Sequence, residues 1–235
     1  MNVVSIMAHQ DDEMRCLGTM LKCRARGDRL SFITLTDGSK GFVHQPDIAP
    51  AEAARIRHEE MTAVAQAVGA EYINLRGPDE FLYDTPETRM SLIEAIRRTK
   101  ADLVFTHYRE DYNADHATTH GLVLHCAMQS CLPVLPTQSK PLERHPAIFL
   151  VPPHGPFIFP VTHFVDISTY EAEKVRILRF HRSQDEAMRK ALSAGFEEMC
   201  QRPDAFYGEQ AGCAYAEAFA PMRARGAIKP YSVLP

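Results

Sequence analysis

The chain has 235 residues, a length that fits one domain better than two. Its 45% hydrophobic and 24% charged residues are typical of a globular protein. No stretch approaches the ~20 consecutive apolar residues of a membrane span, and residues 1–13 do not resemble a secretory signal. A net charge of −4 provides no basic field for nucleic acid or anionic lipid. We therefore expect a single domain over residues 1–235, with no membrane span and no nucleic-acid partner.

The six cysteines do not form the pattern of a disulfide framework. No pair has C-x-x-C spacing, and a chain of this length needs no cross-links for stability. Cys16 and Cys23 lie seven residues apart on one face of a predicted helix, where cysteine behaves as a small apolar residue. We expect reduced thiols and a cytoplasmic location.

The first half of the chain alternates between strand and helix patterns. The β-branched run at 2–7 is typical of a buried strand, and 13–26 has helical spacing that stops at Gly27. Further strands are predicted at 30–35, 72–75 and 103–106, and further helices at 51–68 and 86–99. This alternation predicts the α/β class, with a Rossmann-like, mostly parallel sheet and helices on both faces.

The second half of the chain has a less regular pattern. Its predicted elements are a helix at 115–130, strands at 147–151 and 161–166, and helices at 169–182 and 184–200. Pro152 and Pro153 indicate a loop between two short strands rather than a domain boundary. Residues 201–235 show no clear period and receive no assignment.

Two clusters of histidine and carboxylate residues follow predicted strands. The segment 8–13, AHQDDE, comes directly after the first strand. The segment 106–116 comes after the strand at 103–106, and His120 lies one helical turn later. Because ligands bind at the carboxyl ends of parallel strands, these two clusters are expected to converge at one edge of the sheet.

The spacing within the clusters is compatible with a metal site. His9 and Asp12 lie three residues apart on a tight turn, and His116 would be a third ligand. Three protein ligands and one position open to water are typical of catalytic zinc. Asp11 would then accept a proton from the bound water. Carboxylates at a helix start also serve as caps, so the spacing alone leaves both interpretations open.

Several motifs resemble one known family. MAHQDDE is similar to the AHPDDE motif of the LmbE-like (PIG-L) zinc-dependent N-acetylglucosaminyl deacetylases. NADH at 113–116 stands in the place of the HPDH motif of that family. Weaker similarities follow in the family's order at 36–38, 57–60, 67–69, 166–168, 181–184 and 215–219.

This resemblance implies the LmbE-like fold and a set of site residues. His9, Asp12 and His116 would bind zinc, and Asp11 would be the general base. Asp115 would orient a neighbouring histidine by accepting its N–H. Arg57 would reach a substrate hydroxyl or phosphate, although a solvated ion pair with Glu60 is an equally good interpretation.

Two residues depart from the family pattern. Gln10 replaces the usual proline, which removes a fixed φ but no ligand. Asn113 replaces the first histidine of HPDH, and asparagine can donate a hydrogen bond to an oxyanion but cannot act as an acid. The missing proton donor would then be one of three other histidines: His107, His120, which we also assign to substrate binding, or His154.

The predicted function is a metal-dependent hydrolase that removes an acetyl group from an N-acetylglucosamine-type amino sugar or its conjugate. Zn²⁺ is the expected cofactor, and Fe²⁺ is an alternative because the same ligands suit both. Two other functions stay open because of Asn113: hydrolysis of a different N-acyl amide in specialised metabolism, and a catalytically impaired binding domain. The expected partner is a small amino sugar or glycoconjugate, and a homo-oligomer is left open. The first strand is not followed by G-x-G-x-x-G, which argues against dinucleotide binding.

Overall fold

A computed structural model describes residues 1–222, in which one sheet has helices packed on both of its faces. The strands are β1 (Asn2–Met7), β2 (Arg29–Thr36), β3 (Glu71–Gly77), β4 (Leu103–His107), β5 (Ala147–Val151), β6 (His163–Asp166) and β7 (Ala216–Pro221). The helices are α1 (Leu17–Ala25), α2 (Pro50–Val68), α3 (Pro86–Thr99), α4 (Ala114–Gln129), α5 (Glu171–Leu178), α6 (Arg182–Leu192) and α7 (Phe196–Ala211).

The strand order across the sheet is β3-β2-β1-β4-β5-β7-β6. The five strands β1 to β5 pair in parallel, and β7 lies antiparallel between β5 and β6. The predicted Rossmann-like, mostly parallel α/β sheet is therefore confirmed.

The hydrophobic core has one layer on each face of the sheet. Strand side chains alternate between the faces, so Val3 and Met7 of β1 contact the layer beneath α1, α2, α5 and α7. Val4 and Ile6 contact the opposite layer, which α3 and α4 cover. Both faces of β1 are thus buried, which explains its continuous apolar run. Within residues 1–222, no helix combines the length and the apolar character needed to cross a membrane.

Three helix predictions were wrong in their extent, and one of them, at 169–182, is shortened to α5. The segment predicted as a helix at 13–26 begins as a short 3₁₀ helix, Asp12–Arg15, and becomes α-helical only at Leu17. The segment predicted at 184–200 is divided into α6 and α7. Asp185 Oδ1 accepts the N–H of Phe196 at 2.8 Å, and a Cβ at Gly195 would lie 2.3 Å from that same oxygen. This hydrogen bond and the lack of room for a side chain at Gly195 allow a new helix to start at Phe196. Hydrophobic periodicity alone predicts that one helix continues through this point.

Residues 201–222 have regular structure despite their weak pattern. Helix α7 continues to Ala211 and ends at Gly212, whose φ is 76°. Strand β7 then pairs with Val165 and neighbouring residues of β6. Its small residues carry little strand preference, so pairing with distant strands determines its conformation. The rest of the unassigned segment, 223–235, lies outside the described residues.

Candidate metal centre

The two clusters meet at the point where the sheet changes winding direction. Strands β1 and β4 are neighbours, while β2 lies on the other side of β1. The loops that follow β1 and β4 therefore flank one crevice, which is where open α/β sheets bind ligands. His9 and Asp12 follow β1, and His116 lies in the first turn of α4.

Three side chains offer ligand atoms at one point. His9 Nδ1 lies 3.2 Å from His116 Nε2 and 3.2 Å from Asp12 Oδ2. His116 Nε2 lies 3.3 Å from Asp12 Oδ1. Two ligands of a tetrahedral zinc ion, each bonded at about 2.0–2.2 Å, are about 3.3–3.5 Å apart. The separations in this cluster thus fit a single ion of that size.

The remaining nitrogen of each histidine faces a carboxylate. His9 Nε2 lies 3.2 Å from Asp79 Oδ1 and 3.4 Å from Asp115 Oδ2. His116 Nδ1 lies 3.0 Å from Asp111 Oδ2. Metal-binding histidines usually donate their second N–H to such an oxygen, which fixes the ring orientation. The contacts of these second histidine nitrogens are therefore also those expected around a bound divalent cation.

The charges around the cluster also favour a cation. Burial lowers the pKa of His9, but Asp115, Asp12 and Asp79 outweigh that effect and raise it well above its usual value. Burial likewise opposes protonation of His116, but Asp12 and Asp111 raise the pKa of His116 to about 9. The carboxylates therefore favour positive charge at this point, and a bound metal ion would supply that charge in place of protons.

Asp11 lies beside the cluster in an unusual backbone conformation. Its φ is 116°, a region that residues other than glycine rarely adopt. The Asp11 N–H donates to Glu13 Oε2 at 2.9 Å, and Arg57 Nη2 donates to Asp11 Oδ1 at 2.7 Å. Burial raises the pKa of Asp11, an effect that the positive charge of Arg57 partly offsets. The carboxylate is thus fixed through both its backbone and one oxygen.

Glu13 is held by a residue whose position we predicted incorrectly. Position 181 fell within the last turn of the helix predicted at 169–182, but α5 ends at Leu178. His181 instead precedes α6, is fully buried, and places Nε2 2.7 Å from Glu13 Oε1. Periodicity could not indicate this contact because the two residues are far apart in sequence.

Asn113 is the N-cap of α4. Its Oδ1 accepts the N–H groups of Asp115 at 2.8 Å and His116 at 3.3 Å. Because the oxygen is used for capping, the side-chain NH₂ is the group left for other partners. Asn113 also lines the cavity above the metal cluster.

Of the two predicted substrate-binding residues, only Arg57 lies at the cavity. Arg57 is 2% exposed, and its Nε and Nη1 have no hydrogen-bond partner among residues 1–222. His120 Nδ1 donates to the carbonyl oxygen of His107 at 3.0 Å. His120 is not among the residues that line the cavity.

Gln10, the first departure from the family motif, has a structural role. Its Nε2 donates to the carbonyl oxygen of Thr36 at 3.1 Å, which ties the loop after β1 to the end of β2. The side chain lies over Gly38, where an added Cβ would be 2.3 Å from Gln10 Oε1. Gly38 has a φ of 70°, so both its conformation and its missing side chain are required.

The cavity has a volume of about 620 Å³ and a mixed lining. Sequence reasoning did not assign Asp79, which follows β3 at the same sheet edge as the two clusters, and it left His154 after β5 unplaced. The strand-end rule could have identified both residues. The cavity also has an apolar wall, formed by Met14, Met188, Leu192 and Met199. The strand-end rule could not identify this wall because most of it lies on the helices α6 and α7.

A comparison with known families settles the classification. Residues 4–127 match the PIG-L family, described as GlcNAc-PI de-N-acetylase, over more than half of the chain. The chain belongs to the PIG-L family. The resemblance predicted from MAHQDDE and NADH is therefore confirmed.

Solved structures extend the PIG-L similarity beyond residue 127. N,N'-diacetylchitobiose deacetylase from Pyrococcus horikoshii is 26% identical, with a TM-score of 0.80 over 94% of this chain and 83% of that one. The conserved protein TT1542 from Thermus thermophilus is 24% identical, with a TM-score of 0.80 and 97% of each chain covered. GalB from Pseudomonas putida, a 4-carboxy-2-hydroxymuconate hydratase, is 19% identical, with a TM-score of 0.80 over 98% of this chain and 100% of that one. The last two comparisons show the fold alone.

Proposed function

We propose that this protein is a metal-dependent N-deacetylase, folded as a single domain, that acts on an N-acetylglucosamine-type amino sugar or its conjugate. The observation that carries the proposal is the tetrahedral spacing of His9, Asp12 and His116 beside a buried, fixed Asp11. PIG-L membership supports the reaction type. The activity named for the Pyrococcus relative supports the substrate class. The same fold also occurs in a hydratase, so we base the proposed function on the site rather than on the fold.

His9, Asp12 and His116 would hold the metal, for which zinc is our proposal and ferrous iron the alternative. When bound, a divalent ion polarises the amide carbonyl and makes a neighbouring water more acidic. The protein's contribution is to fix the ligands, through Asp79 and Asp115 on His9 and through Asp111 on His116.

Asp11 is the proposed general base. Arg57 binds Asp11 Oδ1, which leaves Oδ2 for the proton of the attacking water. Burial raises the pKa of Asp11, so this carboxylate is a stronger base than an exposed aspartate. The proton accepted by Asp11 is then delivered to the amide nitrogen as the C–N bond breaks. Acetate and a free amine are the products.

Asn113 is proposed to stabilise charge on the acyl oxygen. Its Oδ1 is committed to the first turn of α4, so the NH₂ group is the one available to the cavity. An oxyanion donor of this kind contributes about 10²–10³ in kcat in other hydrolases.

A different N-acyl amide remains the second candidate, because one wall of the cavity is apolar. Met188 and Leu192 of α6 and Met199 of α7 face the same space as the metal cluster. An acyl chain longer than acetyl, or an apolar group on the amine, would bury surface against this wall.

Product analysis with the zinc-loaded full chain tests the proposal. N,N'-diacetylchitobiose, N-acetylglucosamine and an N-octanoyl glucosamine would be offered to the wild type and to His9→Ala. We expect acetate from an acetylated substrate and no acetate with His9→Ala. Release of octanoate alone would favour the second candidate. Sugar binding without any product would contradict the hydrolase and favour an impaired binding domain.

A further inference from the structure

His154 reaches the cavity from a third strand. It follows β5, which pairs with β4 and ends at the same sheet edge as the metal cluster. Pro152 and Pro153 precede it and restrict the backbone, while Gly155 follows at a φ of 93° that favours glycine. The local sequence therefore holds His154 in a defined position.

The contact of His154 with Arg15 fixes which ring nitrogen carries a proton. Arg15 Nη2 lies 2.8 Å from His154 Nδ1. A guanidinium group only donates hydrogen bonds, so Nδ1 must accept this one. The proton of the neutral ring is therefore on Nε2. Arg15 is the last residue of the 3₁₀ helix that begins at Asp12. The contact therefore connects His154 to the turn that carries the proposed metal ligands.

The environment of His154 also keeps the ring neutral. Burial, followed by the positive charge of Arg15, lowers the pKa of His154 to about 3. Its Nε2 has no hydrogen-bond partner among residues 1–222, and the side chain lines the cavity together with Asn113 and His116. The result is a free N–H donor beside the metal cluster.

The other two histidines considered as replacements for the family histidine, His107 and His120, do not offer such a donor. His107 is buried, and its Nε2 accepts the N–H of Ala8 at 3.0 Å. His120 donates its Nδ1 proton to the carbonyl oxygen of His107. Neither side chain lines the cavity.

We propose that His154 donates a hydrogen bond from Nε2 to the acyl oxygen of the substrate, with Arg15 setting its tautomer. The inference rests on the proposed function. No proton is transferred in this role: the neutral ring donates before, during and after bond cleavage. His154 and Asn113 would then supply two neutral donors to the same oxygen as its negative charge develops.

Kinetics of three variants test whether His154 contributes to catalysis. The measurements use N,N'-diacetylchitobiose and the zinc-loaded full chain. We expect His154→Ala to lower kcat by about 10²–10³ with little change in KM. His154→Gln keeps an amide donor near the position of Nε2 and should recover at least a tenth of the wild-type kcat. His125→Ala, at an exposed position on α4, is the matched control and should behave as wild type. A rise in KM with unchanged kcat for His154→Ala would overturn the proposal.

Nitrogen-15 NMR of the histidine rings tests the tautomer without turnover. The His154 signals are assigned by their loss in His154→Gln, with the full chain at neutral pH. We expect a neutral ring protonated at Nε2 in the wild type and a shift towards the other tautomer in Arg15→Met. A proton on Nδ1 in the wild type would overturn the role of Arg15. Absence of turnover by the wild type would refute the proposed function, whereas normal turnover by His154→Ala would refute only the role of His154.

Discussion

At the scale of single residues, the position of Asp11 depends on two buried neighbours. Glu13 accepts its backbone N–H and is itself held by His181, while Arg57 binds its carboxylate. The φ of 116° is therefore stabilised by contacts on both sides of the residue. Such a conformation costs free energy and persists only where the surroundings impose it, which makes it a mark of function rather than of stability.

Replacing Asp11 with asparagine should separate catalysis from metal binding. Asp11→Asn keeps the size of the side chain but removes the proton acceptor, so we expect kcat to fall by about 10²–10⁴. Zinc content should be unchanged because Asp11 is not among the three proposed ligands. Asp37→Asn is the matched control, since Asp37 lies at the same sheet edge and its carboxylate accepts, among residues 1–222, only the N–H of Ser39. Wild-type kcat in Asp11→Asn would contradict its role as base.

Asp111 should act on metal affinity through His116. Its Oδ2 lies 3.0 Å from His116 Nδ1, so Asp111→Asn removes the carboxylate that orients this ligand. We expect zinc affinity to fall by about 10–100-fold, measured by competition with a chelator. Asp84→Asn removes an exposed ion pair with Arg89 and should leave the affinity unchanged. Equal affinities for Asp111→Asn and the wild type would show that Asp111 does not support the metal.

The sequence was sufficient to group His9, Asp12 and His116, because the strand-end rule places their two loops together. It could not predict that Asp111 contacts His116 or that Glu13 contacts His181. Those pairs depend on loop conformation and on side-chain packing between distant segments. Similarly, the capping contacts of Asn113 follow from the start of α4, which periodicity alone locates only to within one or two residues.

At the scale of elements, a buried charge cluster joins the C-terminal helices to α1. Lys174 of α5 is fully buried, and its Nζ lies 2.5 Å from Asp204 of α7 and 2.8 Å from Glu217 of β7. Glu217 also accepts the N–H groups of Gly18 and Thr19 at the start of α1. Removing one partner of such a buried pair is strongly destabilising because the other charge is left uncompensated.

Glu171, in this same cluster, should make stability depend on pH. Burial is the main cause that raises the pKa of Glu171 to about 7, and the negative charge of Asp204 adds to it. The folded protein therefore retains a proton that the unfolded chain releases as pH rises above its ordinary value of 4.5. The contribution of Glu171 to the free energy of unfolding should fall as pH rises from about 4.5 to about 7.

Glu171→Gln should reduce this dependence, because the neutral amide does not titrate. Urea unfolding at about pH 5 and pH 8 would measure the effect, which we expect to be about 1–3 kcal/mol of stability gained over the wild type at the higher pH. Glu59→Gln, at an exposed position of α2, is the control. An unchanged pH dependence in Glu171→Gln would show that Glu171 is ionised in the folded protein at both pH values.

At the scale of the whole molecule, one sheet connects the ligand-bearing strands to the C-terminal segment. Strand β7 lies between β5 and β6, although it is the last of them in sequence. The alternation of strands and helices up to β4 is a local pattern and was predictable. The insertion of β7 is a long-range pairing, which neither its composition nor its periodicity indicates.

This topology predicts that the chain unfolds as one unit. Because β7 pairs with both of its neighbours and α7 packs on it, no boundary divides the described sheet into independent parts. Unfolding in guanidinium chloride, followed by far-UV circular dichroism and by tyrosine fluorescence, should give coincident single transitions. Two separated transitions would contradict the proposed single domain.

Metal binding by His9, Asp12 and His116 is the central claim, and native mass spectrometry tests it most directly. The wild type and His116→Ala would be stripped with a chelator, supplied with zinc, and weighed as intact chains. The proposed site predicts one zinc ion per wild-type chain and none retained by His116→Ala. A wild-type chain that retains no zinc, or a variant that retains as much as the wild type, would contradict the assignment of these three ligands.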